Sequence, residues 1–284
     1  MLSNQEYLSS QQWIVFSEQD NPAKGNPNSA LSYQDSFIRW VPALNDDSTT
    51  PYGVLHFYPF DYPAILLGAK DTRLPELGNA NKYLVDLGYT LVQRPHGGLA
   101  VVNDSGVLNF GLVSDNRHFD LSIDTAYEQM VALVAKSLEP FDVKVESYEV
   151  PDSYCPGKFD LVVNGQKIGG IAQRRFKSGV TTAAYISVGG NQQARAELIQ
   201  AYYRTGEAGD DYPLVNPNSM TTVEAVIGES ITVDAYQKLL ISTMEQFGSV
   251  IQGDYENPEL KALYTKAFEK TAVRSDKIQP DQLP

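Results

Sequence analysis

The residues best suited to covalent chemistry in this sequence are Cys155 and Lys167. Cys155 is the only cysteine and sits in Asp152-Ser-Tyr-Cys-Pro-Gly157, where proline and glycine make a loop rather than the centre of a helix or strand. A thiol in such a loop is accessible, and as a thiolate it attacks acyl groups. Most free cysteines are buried, inert hydrophobes, so the loop context is what favours chemistry here. Lys167 follows Asn164-Gly165 and precedes Gly169 and Gly170, which leave room beside its strand for a ligand or a backbone. The bland alternative is a solvated edge charge. A two-residue turn at Asn164-Gly165 pairs Val162 with Lys167 and sets Asp160 on the same face, diagonal to the lysine, as an orienting carboxylate.

A second dense feature is Arg94-Pro-His-Gly-Gly-Leu-Ala100. Its glycines allow close backbone approach to a bound chain, with amides able to meet an acyl oxygen or a phosphate. The spacing matches neither a Walker loop nor a dinucleotide fingerprint, and a tight turn between strands explains it equally well. His96 invites a cysteine–histidine dyad, although nothing in the sequence brings it to Cys155. Arg174, Arg175 and Lys177 form a small basic cluster, either an edge-strand device or a docking patch on an acidic chain.

The elements that must position these residues follow from periodicity and turn signals. Helices are expected over 29–41, stopped by Pro42, and over 75–87, closed by Gly88. Val54 to Tyr58 and Ala64 to Leu67 read as two strands joined by a turn. Further strands fall at 90–95, 99–103 and 107–113. Ser122 caps a helix ended by Pro140. Asn-Gly is a strong hairpin signal, so 160–163 and 167–172 form a hairpin, followed by a strand at 181–188 and helices at 194–203, 233–247 and 258–272. Strands in the middle and helices at the ends give an α+β domain with a mixed sheet. The expected organisation is an N-terminal extension over 1–28, one catalytic domain over 29–274 and a flexible tail over 275–284; segments 20–28 and 275–284 are expected to be disordered.

Composition narrows the function classes. The 284 residues carry a net charge of −13, which repels a phosphate backbone, so no nucleic-acid partner is expected. No run approaches the roughly 20 apolar residues of a membrane helix, and the N-terminus lacks a signal-peptide pattern. These features point to a soluble, cytoplasmic protein without a membrane partner. One cysteine and three histidines (His56, His96, His118) without ligand spacing predict no metal site and a cofactor-free mechanism.

Taken together and in order, RPHGGLAVVND (94–104), GVLNFGL (106–112) and PGKFDLVVNGQKIGGIAQRR (156–175) resemble the lipoate-protein ligase and octanoyltransferase family, over roughly Leu31 to Thr205. The resemblance implies a biotin/lipoyl ligase-like α+β fold. It also implies an acyl pocket lined by Arg94, His96, Gly97, Gly98, Leu99, Ala100, Gly169 and Gly170, with Lys167 on the acyl carbonyl. Family members that work through a thioester need a cysteine, and Cys155 looks like the nucleophile of their cysteine-loop group. Within that group the sequence is most similar to the branch that takes octanoyl from the glycine cleavage H protein and passes it to lipoyl domains of 2-oxoacid dehydrogenases. Leu99 departs from the third glycine common in ligases, which argues against adenylate binding. The mechanism implied is a ping-pong amidotransfer by a monomer: Lys167 keeps Cys155 ionised and protonates the leaving amine, and Gly97 to Ala100 with Lys167 stabilise the oxyanion. The alternatives are octanoyl transfer from acyl carrier protein, an ATP-dependent lipoate ligase, and a non-catalytic binder of acyl groups or lipoyl domains.

Overall fold

A computed structural model describes residues 3–60 and 62–283. Ser3 and Glu6 form a capping box at the start of α1 (Asn4–Ser9), satisfying two backbone donors that a helix start leaves open. The chain continues through β1 (Gln12–Ser17), α2 (Pro27–Leu44), β2 (Tyr52–Phe57), β3 (Ala64–Leu67), α3 (Leu77–Asp86), β4 (Thr90–Gln93), β5 (Val101–Asn103) and β6 (Val107–Asp115). Then come α4 (Ile123–Leu138), β7 (Glu146–Ser147), β8 (Leu161–Val163), β9 (Gln166–Phe176), β10 (Gly179–Ser187) and α5 (Gln192–Thr205). The last elements are α6 (Val223–Ile227), α7 (Val233–Phe247), β11 (Val250–Gln252) and α8 (Pro258–Asp276).

The strands form an eight-stranded sheet, ordered β11-β1-β2-β6-β10-β9-β8-β7, and a three-stranded sheet ordered β4-β3-β5. Both mix parallel and antiparallel pairs: β1 runs parallel to β11 and β2, and β3 runs parallel to β4. Side chains alternate across a strand, and β1 shows the result. Ile14 and Phe16 pack beneath α2 and α8 with Phe37, Ile38 and Leu260, while Trp13 and Val15 join Met130, Leu133 and Leu240 of α4 and α7 on the other face. A third core lies between the small sheet, α3 and α5, and takes in Leu31, Tyr154 and Tyr185. The site sits where this core meets the large sheet.

Several expectations need correction. The stretch before residue 29 contributes a central strand: Trp13 and Phe16 are fully buried, and β1 hydrogen-bonds on both edges. Segment 20–28 is ordered by Asn21, whose amide donates to Glu18 Oε2 at 2.7 Å and to Ser29 Oγ at 3.0 Å. In the tail, α8 runs to Asp276 and Ile278 is buried; Met1, Leu2 and Pro284 lie outside the described residues. Pro42 falls inside α2. In the last turn a proline removes a single backbone bond, and the cap at Asn45 still closes onto the Val41, Pro42 and Ala43 carbonyls. Finally, β2 and β3 belong to different sheets, because Pro59 and Pro63 carry the chain from one sheet to the other and neither proline has an N–H for a ladder.

Candidate active site

The Asn164-Gly165 turn has both residues at positive φ, +51° and +80°, as the mirror-image hairpin turn requires. It pairs Val163 with Gln166 and Val162 with Lys167. A register shift between Leu161 and Val162 then aligns Leu161 with Gly169. Lys167 is therefore directed inward. Its ammonium is fully buried and lies 2.9 Å from Asp160 Oδ1, and it donates to Cys155 O at 2.7 Å, Tyr154 O at 3.1 Å and Ser153 Oγ at 3.2 Å. Burial raises the Asp160 carboxyl above its ordinary value even though Lys167 opposes the shift.

This cation holds a strained loop. Cys155 has φ +48°, a conformation that non-glycine residues adopt rarely and at a cost of about 1–3 kcal/mol, and Pro156 further restricts the residue before it. Such a conformation persists only when its surroundings over-determine it, and two carbonyls gripped by one buried ammonium do that.

The thiol itself faces the other way. Leu99 N–H donates to Cys155 Sγ at 3.1 Å and Arg94 Nη2 donates to it at 3.3 Å, while Arg94 also bonds the Leu99 carbonyl. Burial alone would lower the Arg94 pKa, but Cys155 and Asp71 beside it outweigh that and the net shift is upward. Gly98, at φ +98°, makes the approach possible: a Cβ there would lie 2.6 Å from Arg94 Nη2 and 2.9 Å from Sγ. At Gly97 a Cβ would meet nothing within 4 Å.

Sγ opens into a cavity of about 200 Å³ whose lining includes Leu31, Tyr58, Leu66, Ile171, Ala184 and Tyr185. A mostly apolar cavity with a thiol in its wall, flanked by a guanidinium and a backbone amide, can accept an acyl chain and expose its carbonyl to attack. The carbonyl oxygen would turn negative at that attack.

The predicted site residues separate into those brought together and those kept apart. Arg94, His96, Gly97 and Gly98 share the cavity wall with Cys155 and Gly170. Leu99 and Ala100 are buried behind it, and the Leu99 amide reaches the sulfur. Gly169 packs against the backbone of Tyr185 and Ile186 and is absent from the cavity lining. His96 is buried, and its pKa is pushed down to about 3 by that burial and by Arg94, Arg174 and Arg274. It is neutral near pH 7 and unsuited to carry a proton. Lys167 meets the carbonyl end of Cys155, whereas the cation at the sulfur is Arg94.

The basic cluster does not form one patch. Strand alternation sends Arg174 to Asp35 of α2 and Arg175 to the Leu121 and Ser122 carbonyls before α4, on opposite faces of the sheet, while Lys177 is exposed beside Phe176. Two further residues escaped the sequence reading. Asp71 accepts from Gly68 N–H at 2.7 Å and from Tyr203 OH at 3.0 Å, and burial raises its pKa to about 6. The short run Lys-Asp-Thr-Arg around it carries no signal of this. Tyr185, in the cavity wall, sits in an ordinary strand.

Residues 26–245 match the family model for the lipoyl protein ligase A/B catalytic domain. A Geobacillus kaustophilus protein named octanoyl-[GcvH]:protein N-octanoyltransferase is 40% identical over 188 residues, covering 65% of this chain and 66% of that protein. An Anoxybacillus flavithermus protein of the same name is 31% identical and aligns over 97% of this chain and 98% of its own. A Listeria monocytogenes protein named lipoyl-[GcvH]:protein N-lipoyltransferase is 34% identical, covering 75% and 78% of the two chains. Among solved structures, lipoate-protein ligase A bound with ATP superposes with a TM-score of 0.70 at 18% identity, covering 96% of this chain and 100% of that one, which establishes a shared fold. The chain belongs to the lipoyl protein ligase A/B catalytic-domain family.

Proposed function

We propose that this protein is an octanoyl-[glycine cleavage H protein]:protein N-octanoyltransferase, which moves octanoyl from the H-protein lysine to a lysine of lipoyl domains through a thioester on Cys155. The observation that carries this reading is the thiol at the wall of an apolar cavity, with Arg94 Nη2 and the Leu99 N–H both directed at its sulfur. The guanidinium and the amide fix the sulfur at the cavity wall, where it can reach the carbonyl of a bound acyl chain. Each methylene moved from water into the cavity contributes about 0.8 kcal/mol, so an eight-carbon chain is held before any protein contact is counted.

In the first half-reaction the thiolate attacks the amide carbonyl, the tetrahedral adduct collapses, and the H-protein lysine leaves as an amine. In the second, the acceptor lysine attacks the thioester and frees the thiol. Amide is exchanged for amide, so the direction follows mass action and no ATP is consumed. Lys167 and Asp160 keep the cysteine loop in its strained geometry throughout. The enzyme acts as a monomer in the cytoplasm, where donor and acceptor lipoyl-type domains compete for one docking surface. Lys177 is the exposed member of the basic cluster placed to meet an acidic partner, since the Arg175 guanidinium is engaged by Gln173 and the Leu121 and Ser122 carbonyls.

The test is to incubate the protein separately with octanoylated H protein, lipoylated H protein, octanoyl carrier protein, and lipoate plus ATP, then weigh Cys155 and each acceptor by mass spectrometry. Acylation of Cys155 by octanoylated H protein is expected, followed by transfer to a lipoyl domain. Faster acylation by octanoyl carrier protein replaces the donor, and modification of acceptors with an unmodified Cys155 replaces the mechanism.

A further inference from the structure

Most buried tyrosine hydroxyls in this protein are committed. Tyr7 bonds Ser114, Tyr203 donates to Asp71, Tyr202 to Asn81 and Tyr212 to the Lys70 carbonyl, and Tyr236 pairs with Ser137. Tyr154, which stacks on Tyr185 with ring centroids 5.7 Å apart, receives a bond from Gln192. Tyr185 differs. Its hydroxyl is enclosed without a partner, and the residue is 5% exposed. A buried hydroxyl left unpaired is destabilising, a cost that a bound ligand can remove.

The position of this orphan is specific. Tyr185 lines the same cavity as Cys155, and the Lys167 ammonium lies 5.7 Å from its ring centroid. Room for the ring is made by Gly170 on the paired strand, where a Cβ would come within 2.8 Å of Tyr185 Cε1. Of the other donors near the reacting sulfur, Leu99 N–H and Arg94 Nη2 point at Sγ and Lys167 is spent on loop carbonyls, which leaves the buried Arg94 Nε as the second unpartnered donor beside the Tyr185 hydroxyl.

We propose that the Tyr185 hydroxyl is a catalytic hydrogen-bond donor to the oxygen of the acyl group bound at Cys155. This rests on the acyl-transfer reading above. The C–S bond forms as the carbonyl π pair moves onto oxygen; Tyr185 O–H donates to that oxyanion without giving up its proton. On collapse the C–N bond breaks, and the proton that the thiol lost ends on the departing amine. Burial raises the Tyr185 pKa well above its ordinary value, so the phenol stays protonated and able to donate. The same bond serves the second half-reaction, in which the thioester oxygen again becomes negative.

The experiment compares Tyr185→Phe with the parent protein in three measurements. Single-turnover acylation of Cys155 by octanoylated H protein is expected to slow by about 100-fold, the scale of one oxyanion donor. Alkylation of Cys155 by iodoacetamide develops no oxyanion and is expected to keep its rate. The melting temperature is expected to hold or rise, because an unpaired buried hydroxyl has been removed. Acylation slowed by less than tenfold overturns the inference, and so does alkylation falling in step with acylation, which would make Tyr185 a packing residue. If the parent protein is not acylated by octanoylated H protein, the acyl-transfer reading fails instead, independently of Tyr185.

Discussion

Two buried cations hold Cys155 from opposite ends. Arg94, on the loop leaving the small sheet, touches the sulfur; Lys167, on β9 of the large sheet, touches the carbonyl. The arginine shares its guanidinium between Sγ and a neighbouring carbonyl, a division that suits a group meeting changing charge. The lysine is saturated by Asp160 and three oxygens of the cysteine loop, which suits a fixed clamp. Proximity of a cation to a catalytic residue therefore does not define its task. The atom it touches does.

Removing the thiol is the largest disturbance. Cys155→Ala is expected to abolish transfer and the mass shift on the enzyme, with a stability cost of about 1 kcal/mol or less. Measurable acyl transfer by this variant would end the covalent mechanism.

The next comparison separates the two cations. Arg94→Lys keeps charge but loses the planar fork, and is expected to slow both Cys155 alkylation at neutral pH and acylation by roughly 10- to 100-fold while the protein stays folded. Lys167→Met leaves Asp160 buried and unpaired, and is expected to cost about 3–5 kcal/mol in denaturant unfolding. Adding Asp160→Asn removes the orphaned charge and should recover part of that loss. Equal losses in alkylation and in stability for both single variants would erase the distinction.

A glycine pair sharpens the sulfur side. Gly98→Ala forces a methyl between Arg94 and Sγ at φ +98°, and is expected to lower acylation at least tenfold and stability by more than about 1 kcal/mol. Gly97→Ala enters open space and should behave like the parent. Similar kinetics for both variants would mean that the Arg94–Cys155 contact is dispensable.

The last comparison concerns pH. His96, lowered to about 3, resists a proton that the unfolded chain accepts, so its contribution is lost as pH falls from about 6.5 toward 3. Asp71, raised to about 6, holds a proton that the unfolded chain releases, so its contribution grows as pH falls from about 6 toward 4. One proton is worth about 1.4 kcal/mol per pH unit. Between pH 4 and 6, unfolding free energy is therefore expected to gain relative to the parent with acidification in His96→Gln and to lose in Asp71→Asn. Parallel slopes in all three proteins would remove both groups from the acid response.

Much of the site was legible before folding was considered, wherever the determinant is local. The Asn-Gly turn dictates a two-residue hairpin, the turn dictates register, and register with strand alternation places Asp160 beside Lys167. A lone thiol in a Pro/Gly loop could be picked out by composition. The same alternation separates Arg174 from Arg175, a consequence the sequence reading failed to draw. β1 escaped because both of its faces are buried, leaving no polar alternation to read. What only the tertiary structure decided are the meetings between distant segments: Arg94 with Cys155, 61 positions apart, Tyr203 with Asp71 across 132, and the unpaired Tyr185 hydroxyl in a cavity built by both sheets. Local geometry is set by bonds and sterics along a few residues, whereas these contacts depend on how two sheets and their helices exclude water together, which no short stretch of sequence specifies.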